Sequence, residues 1–141
     1  MKRALFDSDV LLDVLAQRQP FVTTSAQALN TVAQQKVQGY VSGHAVTNLF
    51  YILRRQLGSE AARSLISTLL QRLQVASITD DVIRSALQSF MTDFEDAVTS
   101  EVAFAAGLEV IVTRNVADFV ASSVPAMRPE EFLATLSESQ V

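Results

Sequence analysis

The stretch Ala4-Leu5-Phe6-Asp7-Ser8-Asp9-Val10-Leu11-Leu12 decides the fold. Its first three residues are apolar without alternation, as in a strand buried on both faces of a parallel sheet. The run stops at a carboxylate, Asp7, and Ser8-Asp9 leads into the apolar helix start Val10-Leu11-Leu12. Strand, acid, helix is how a parallel crossover unit begins. The same alternation is expected downstream.

Further short runs of strand type are Tyr40-Val41, Val75-Ala76-Ser77-Ile78 and Val110-Ile111-Val112, with a last short segment near Met127 and a helix led by Pro129. Helical spacing fills the gaps. It runs from Phe21 to Val37 and from His44 to Leu57, closed by Gly58 at a position that suits glycine. Ser59 is read as the cap of a helix whose inward stripe includes Ala62, Leu65, Ile66, Leu69 and Leu73. Thr79 starts a short helix to about Ser89, and Asp93 begins one that ends before Gly107. The expected architecture is a helix-rich, three-layer α/β/α sandwich around a short parallel sheet, one domain over residues 1–141.

Composition narrows the function. With 49% hydrophobic and 18% charged residues, the chain is no disordered tail. It has no cysteine, which excludes disulfides and thiolate metal sites. A carboxylate at position 7 comes too early for a secretory apolar region, and no run reaches membrane-spanning length, so a cytoplasmic protein without a membrane partner is expected. Lys+Arg 11 against Asp+Glu 15 gives a net charge of −4, and Lys2 and Lys36 are the only lysines. Affinity for a polyanion therefore has to be local, or assisted by a divalent cation. Neither a glycine-rich phosphate loop nor a G-x-S-x-G elbow occurs.

Open parallel sheets build their sites beyond the carboxyl ends of the strands. Asp7 follows the first strand, and Thr113-Arg114-Asn115-Val116-Ala117-Asp118 follows the strand at Val110. Asp96 lies in the first turn of the helix opened by Asp93. A right-handed crossover brings such positions to one rim, with Asp9, Glu95 and Asn115 near Asp7, Asp96 and Asp118. Crowded carboxylates need a raised pKa, partner arginines or a bound cation. Hard oxygen ligands favour Mg²⁺ or Mn²⁺, and the chemistry that follows is phosphodiester hydrolysis. Asp9 reads equally as a ligand and as a helix cap, Glu95 as a solvated first-turn acid, and His44 as a polar residue at a helix start. Arg114 sits between two candidate site residues, where it would meet a substrate phosphate.

The segments Leu5-Phe6-Asp7-Ser8-Asp9-Val10-Leu11-Leu12-Asp13, Asp93-Phe94-Glu95-Asp96-Ala97 and Val112-Thr113-Arg114-Asn115-Val116-Ala117-Asp118-Phe119 together resemble the PIN-domain family. That resemblance implies a five-stranded parallel sheet and a Mg²⁺- or Mn²⁺-dependent ribonuclease site, as in VapC-type toxins. It makes Asp7, Asp96 and Asp118 the acidic cluster, with Ser8, Thr113 and Asn115 as hydrogen-bonding supports. RNA is then the substrate and an antitoxin protein a partner; separately, excess apolar surface on the helices at Val46 to Leu57 and Leu65 to Leu73 is expected to build a homodimer or to accept a partner's amphipathic segment. Two positions depart from the family. Asn48 stands where a glutamate is usual, and Asp9 where asparagine is common. The competing expectation is a catalytically degenerate PIN domain that binds RNA or protein. A phosphoreceiver domain is set aside, since it needs a lysine after a late strand and both lysines here precede residue 40.

Overall fold

The computed structural model describes residues 1–138, so the last three positions of the expected domain lie outside the described residues. The strands β1 (Lys2–Phe6), β2 (Val37–Ser42), β3 (Gln74–Ala76), β4 (Val110–Val112) and β5 (Ala126–Met127) form one sheet in the order β3-β2-β1-β4-β5. Every pairing is parallel. Between them run α1 (Ser8–Leu15), α2 (Val22–Ala33), α3 (Gly43–Leu57), α4 (Ser59–Leu69), α5 (Asp80–Leu87) and α6 (Phe94–Ala105). A 3₁₀ turn at Val116–Phe119 and a last helix, α7 (Pro129–Glu138), complete the fold.

Successive strand residues point to opposite faces, and here both faces are covered. Ala4, Phe6, Val41 and Val112 pack with Leu11, Leu49, Leu53 and Phe132, which places α1–α4 and α7 on one side. Leu5, Tyr40, Ile111 and Ala76 pack with Val98, Val102 and Val82, which places α5 and α6 on the other. The expected three-layer, helix-rich α/β sandwich is the structure found. Among the described residues no helix is long and apolar enough to cross a membrane.

β2 is three times the length of its Tyr40-Val41 signal, because Gln38 and Gly39 break the apolar run without breaking the strand. Gly39 lies where α2 and the residues after α4 close on the sheet; an added Cβ would stand 2.5 Å from Leu73 and 2.7 Å from Val32. Only a residue without a side chain fits there. The helix cap expected at Ser59 moves one residue back. Gly58, with φ +91°, ends α3 and directly precedes α4, and Ser59 is already helical. Left-handed backbone of this kind favours glycine.

Candidate active site

Asp7 sits where β1 ends and α1 begins. Its N–H still donates to Val112 O (2.9 Å), so the β1–β4 ladder fixes its backbone. Its carboxylate caps α1: Oδ1 accepts from the Ser8 N–H at 2.9 Å, and Oδ2 accepts from Thr113 Oγ1 at 2.9 Å. The helix cap is thus Asp7 rather than Asp9. Burial, first, and then the neighbouring Asp9 push the Asp7 carboxyl up to about 7; the bonds from Thr113 and Ser8 pull the other way, and Asp96 adds to the rise.

Asp96 comes from the opposite layer, in the first turn of α6. Asp93 caps that helix by accepting from the Asp96 N–H at 3.0 Å. Burial raises the Asp96 carboxyl to about 6, helped by Asp93, Asp118, Glu95 and Asp9. Asp118 is held in the 3₁₀ turn, its N–H donating to Asn115 O at 3.0 Å. Three elements spread over more than a hundred residues of chain therefore converge on one rim. Burial and neighbouring acids raise both carboxyls, and only the neutral donors Thr113 and Ser8 pull Asp7 the other way.

Asp9 faces the β4 loop. Its Oδ2 accepts from the Arg114 N–H (3.0 Å) and from Asn115 Nδ2 (3.1 Å), and its Oδ1 from the Val10 N–H (2.7 Å). Burial raises its pKa against those donors. Its geometry is that of a loop anchor, and a cation would have to share its oxygens with these donors. Thr113 is the link between the acids: it donates to Asp7 and accepts from the Asn115 N–H (3.1 Å). Ser8 contributes its backbone N–H.

Arg114 turns its side chain away from the acids. Nε donates to Asp13 Oδ2 at 2.7 Å, and the guanidinium stacks 3.8 Å from the Phe21 ring centre. Asp13, fully buried, also holds Arg18 at 2.9 Å and accepts from Ser25 Oγ at 3.0 Å. Sequence reading passed over Asp13 even though the signal was there, a carboxylate inside the apolar run of α1. On α3, Asn48 Nδ2 donates to Glu95 Oε1 on α6. Beside it His44 Nδ1 pairs with Ser42 Oγ at 2.6 Å, and burial lowers the His44 pKa against the pull of Glu95. Glu95, expected as a solvated first-turn acid, is exposed and accepts this hydrogen bond from Asn48 of α3.

The donor set fits a hard divalent cation. It is all oxygen, and the groups that set the Asp7 and Asp96 carboxyls include no cationic side chain, whereas the Arg114 charge favours the ionised form of Asp9. Among the described residues no three acidic or histidine side chains are drawn tight enough to cage an ion. Mg²⁺ needs no such cage, since it takes one or two carboxylates and keeps several waters.

The family model of the PIN domain matches residues 3–117. This chain belongs to the PIN-domain family. Solved structures agree in fold. A VapBC2 complex from Rickettsia felis, bound to a DNA fragment from its promoter, superposes with a TM-score of 0.72 at 12% identity, over 89% of this chain and 98% of that one. A toxin–antitoxin complex from Klebsiella pneumoniae gives 0.68 at 23% identity, over 89% and 97%. VapC20 of Mycobacterium tuberculosis, a toxin that cleaves the sarcin–ricin loop, gives 0.63 at 16% identity, over 77% and 86%. No curated protein matches the chain significantly. In this PIN domain the matched span contains Asp7, Asp96 and the Thr113–Asn115 loop, and stops one residue before Asp118.

Proposed function

We propose that this PIN domain is a Mg²⁺- or Mn²⁺-dependent endoribonuclease and the toxin of a toxin–antitoxin pair. One observation carries the reading: Asp7 and Asp96, from opposite layers, are both raised by burial and by neighbouring acids, Asp9 and Asp96 at Asp7 and Asp93, Asp118, Glu95 and Asp9 at Asp96. Asp7 and Asp96 would hold the ion, with Asp118 beside them. A divalent ion so bound polarises a phosphoryl oxygen and acidifies a water. The protein's part is positional. Thr113 and the Ser8 N–H fix the orientation of the Asp7 carboxylate, Asp9 with Asn115 holds the loop that carries Thr113, and Asp93 fixes the first turn bearing Asp96.

Support for a toxin comes from the fold neighbours, several of which are toxin–antitoxin complexes. An apolar groove between α3 and α4, walled by Val46, Phe50, Tyr51 and Ile66, is the surface offered to an antitoxin or to a second copy in a homodimer. A cytoplasmic setting follows from that role. The second reading, a degenerate module that binds RNA or protein without cutting, rests on Asn48 in place of an acid. Calorimetric titration with Mn²⁺ separates the two. Stoichiometric binding in the wild type that disappears in Asp7→Asn, together with Mn²⁺-dependent RNA cleavage, establishes the nuclease. Absent or millimolar binding rejects it.

A further inference from the structure

Phe90, in the connection between α5 and α6, is 97% exposed, and Val120, just beyond the 3₁₀ turn, is 84% exposed. Leaving side chains of this type in water forgoes stabilisation, so a pair flanking one recess calls for an occupant. The recess between them has a volume of about 350 Å³, at the small end of the range for ligand sites. Its remaining wall includes Thr92, Asp93, Asp96 and Asp118. Two of the residues proposed for the cation site therefore also line this recess, together with Phe90 and Val120.

We propose that this recess is a nucleobase subsite, in which Phe90 stacks on a base adjoining the phosphate that is cut; the assignment rests on the nuclease reading above. No lysine or arginine lines the recess, so it is no anchor for a phosphate. The neutral, flat part of a nucleotide is what an exposed aromatic ring and a valine accept, and every base has a face to stack. Continuity with Asp96 and Asp118 puts the occupant beside the reacting phosphate. The charge of the whole chain points the same way. At net −4, with two lysines, counterion release contributes little to RNA affinity, and stacking has to supply part of it.

The chain has no tryptophan, so Phe90→Trp installs a sole indole reporter at the recess. In Mg²⁺, a single-stranded RNA oligonucleotide should quench its emission to saturation, while an abasic oligonucleotide of equal charge leaves it unchanged. In parallel, Phe90→Ala should raise KM for RNA cleavage by roughly 5- to 160-fold, the range that loss of one base stack implies, with kcat little altered. Equal responses to the two oligonucleotides overturn the subsite. So does emission that changes with protein concentration alone, which would make the patch a self-association face. Cleavage by Phe90→Ala at wild-type KM removes the subsite and leaves the nuclease standing. Saturable quenching with no cleavage by the wild type does the reverse.

Discussion

Asp13 and Asp7 are six residues apart, at the two ends of α1, and live in opposite electrostatic worlds. Asp13 is fully buried and has two arginines, Arg18 at 2.9 Å and Arg114 at 2.7 Å, besides the Ser25 hydroxyl. Asp7 receives only neutral donors, and its charged neighbours are Asp9 and Asp96. One loop serves both. The Thr113 hydroxyl faces Asp7, the Arg114 N–H faces Asp9, and the Arg114 side chain reaches past them to Asp13. The fold thus spends its nearby cations on the carboxylate that holds α1, α2 and the β4 loop together. At Asp7 and Asp96 no such cation is spent, which is the premise of the metal site proposed above.

The sharpest way to break that contrast is to remove a rim charge. Asp7→Asn and Asp96→Asn should each lower Mn²⁺-dependent RNA cleavage by about 100-fold or more, measured on a labelled oligonucleotide, with the far-ultraviolet circular dichroism unchanged. Chelation of the metal should do the same to the wild type, reversibly on adding Mn²⁺. Activity within twofold of wild type in Asp7→Asn would show that the two ends of α1 do not differ in this way, and the same result in Asp96→Asn would remove Asp96 from the site.

The opposite carboxylate should fail in the opposite way. Asp13→Ala leaves Arg18 and Arg114 without their buried partner, a loss on the order of 3–5 kcal/mol, read as a lower urea midpoint. Where enough of the folded protein survives, its Mn²⁺ affinity should change far less than in Asp7→Asn. A cost under about 1 kcal/mol would reduce the Asp13 cluster to ordinary surface pairs.

The contrast was half legible in the sequence. Strand-end acids such as Asp7, and Asp96 in a helix's first turn, announce themselves because topology alone sends them to one rim. The layers were legible too, since the apolar runs at Leu5 and Ile111 lack alternation. What stayed hidden depends on side-chain direction. Nothing in the order Thr113-Arg114-Asn115 says that Arg114 turns away from the acids toward Asp13, or that Asp9 anchors a loop while Asp7 caps the helix. β2 was under-read because Gly39, needed for close packing, looks like a break.

Acidity tests the rim without any substitution. The folded-state pKa of Asp7, about 7, exceeds its ordinary value of 3.8, so the folded protein holds a proton that the unfolded chain releases between those values. Its contribution is fully present below about pH 4 and is lost as pH rises through 7. In EDTA, stability should therefore fall from pH 5 to pH 8, by on the order of 1–3 kcal/mol once solvent at the rim is allowed for. Asp7→Asn should flatten that slope, and saturating Mg²⁺ should offset it. A rise in stability over this range would mean that Asp7 is compensated after all.

The smallest expected effect concerns Glu95, the α6 acid that Asn48 reaches from α3. Asn48 donates to Glu95, and Glu95 is among the charges that raise Asp96. Glu95→Gln keeps an oxygen for Asn48 and removes only the charge. A carboxylate acting at this range through a largely solvated path is worth a fraction of a direct ligand. Mn²⁺ affinity should accordingly weaken by about two- to fivefold in calorimetry, and Asn48→Ala, which frees the Glu95 side chain, should weaken it to a similar degree. Matching losses, with no further loss in the double variant, mean that the two residues act as one unit and that a negative charge carried on α6 does part of the work of the glutamate absent from α3. Unchanged affinity in Glu95→Gln returns Glu95 to the role of a solvated first-turn acid and leaves the rim with the charges of Asp7, Asp96 and Asp118 alone.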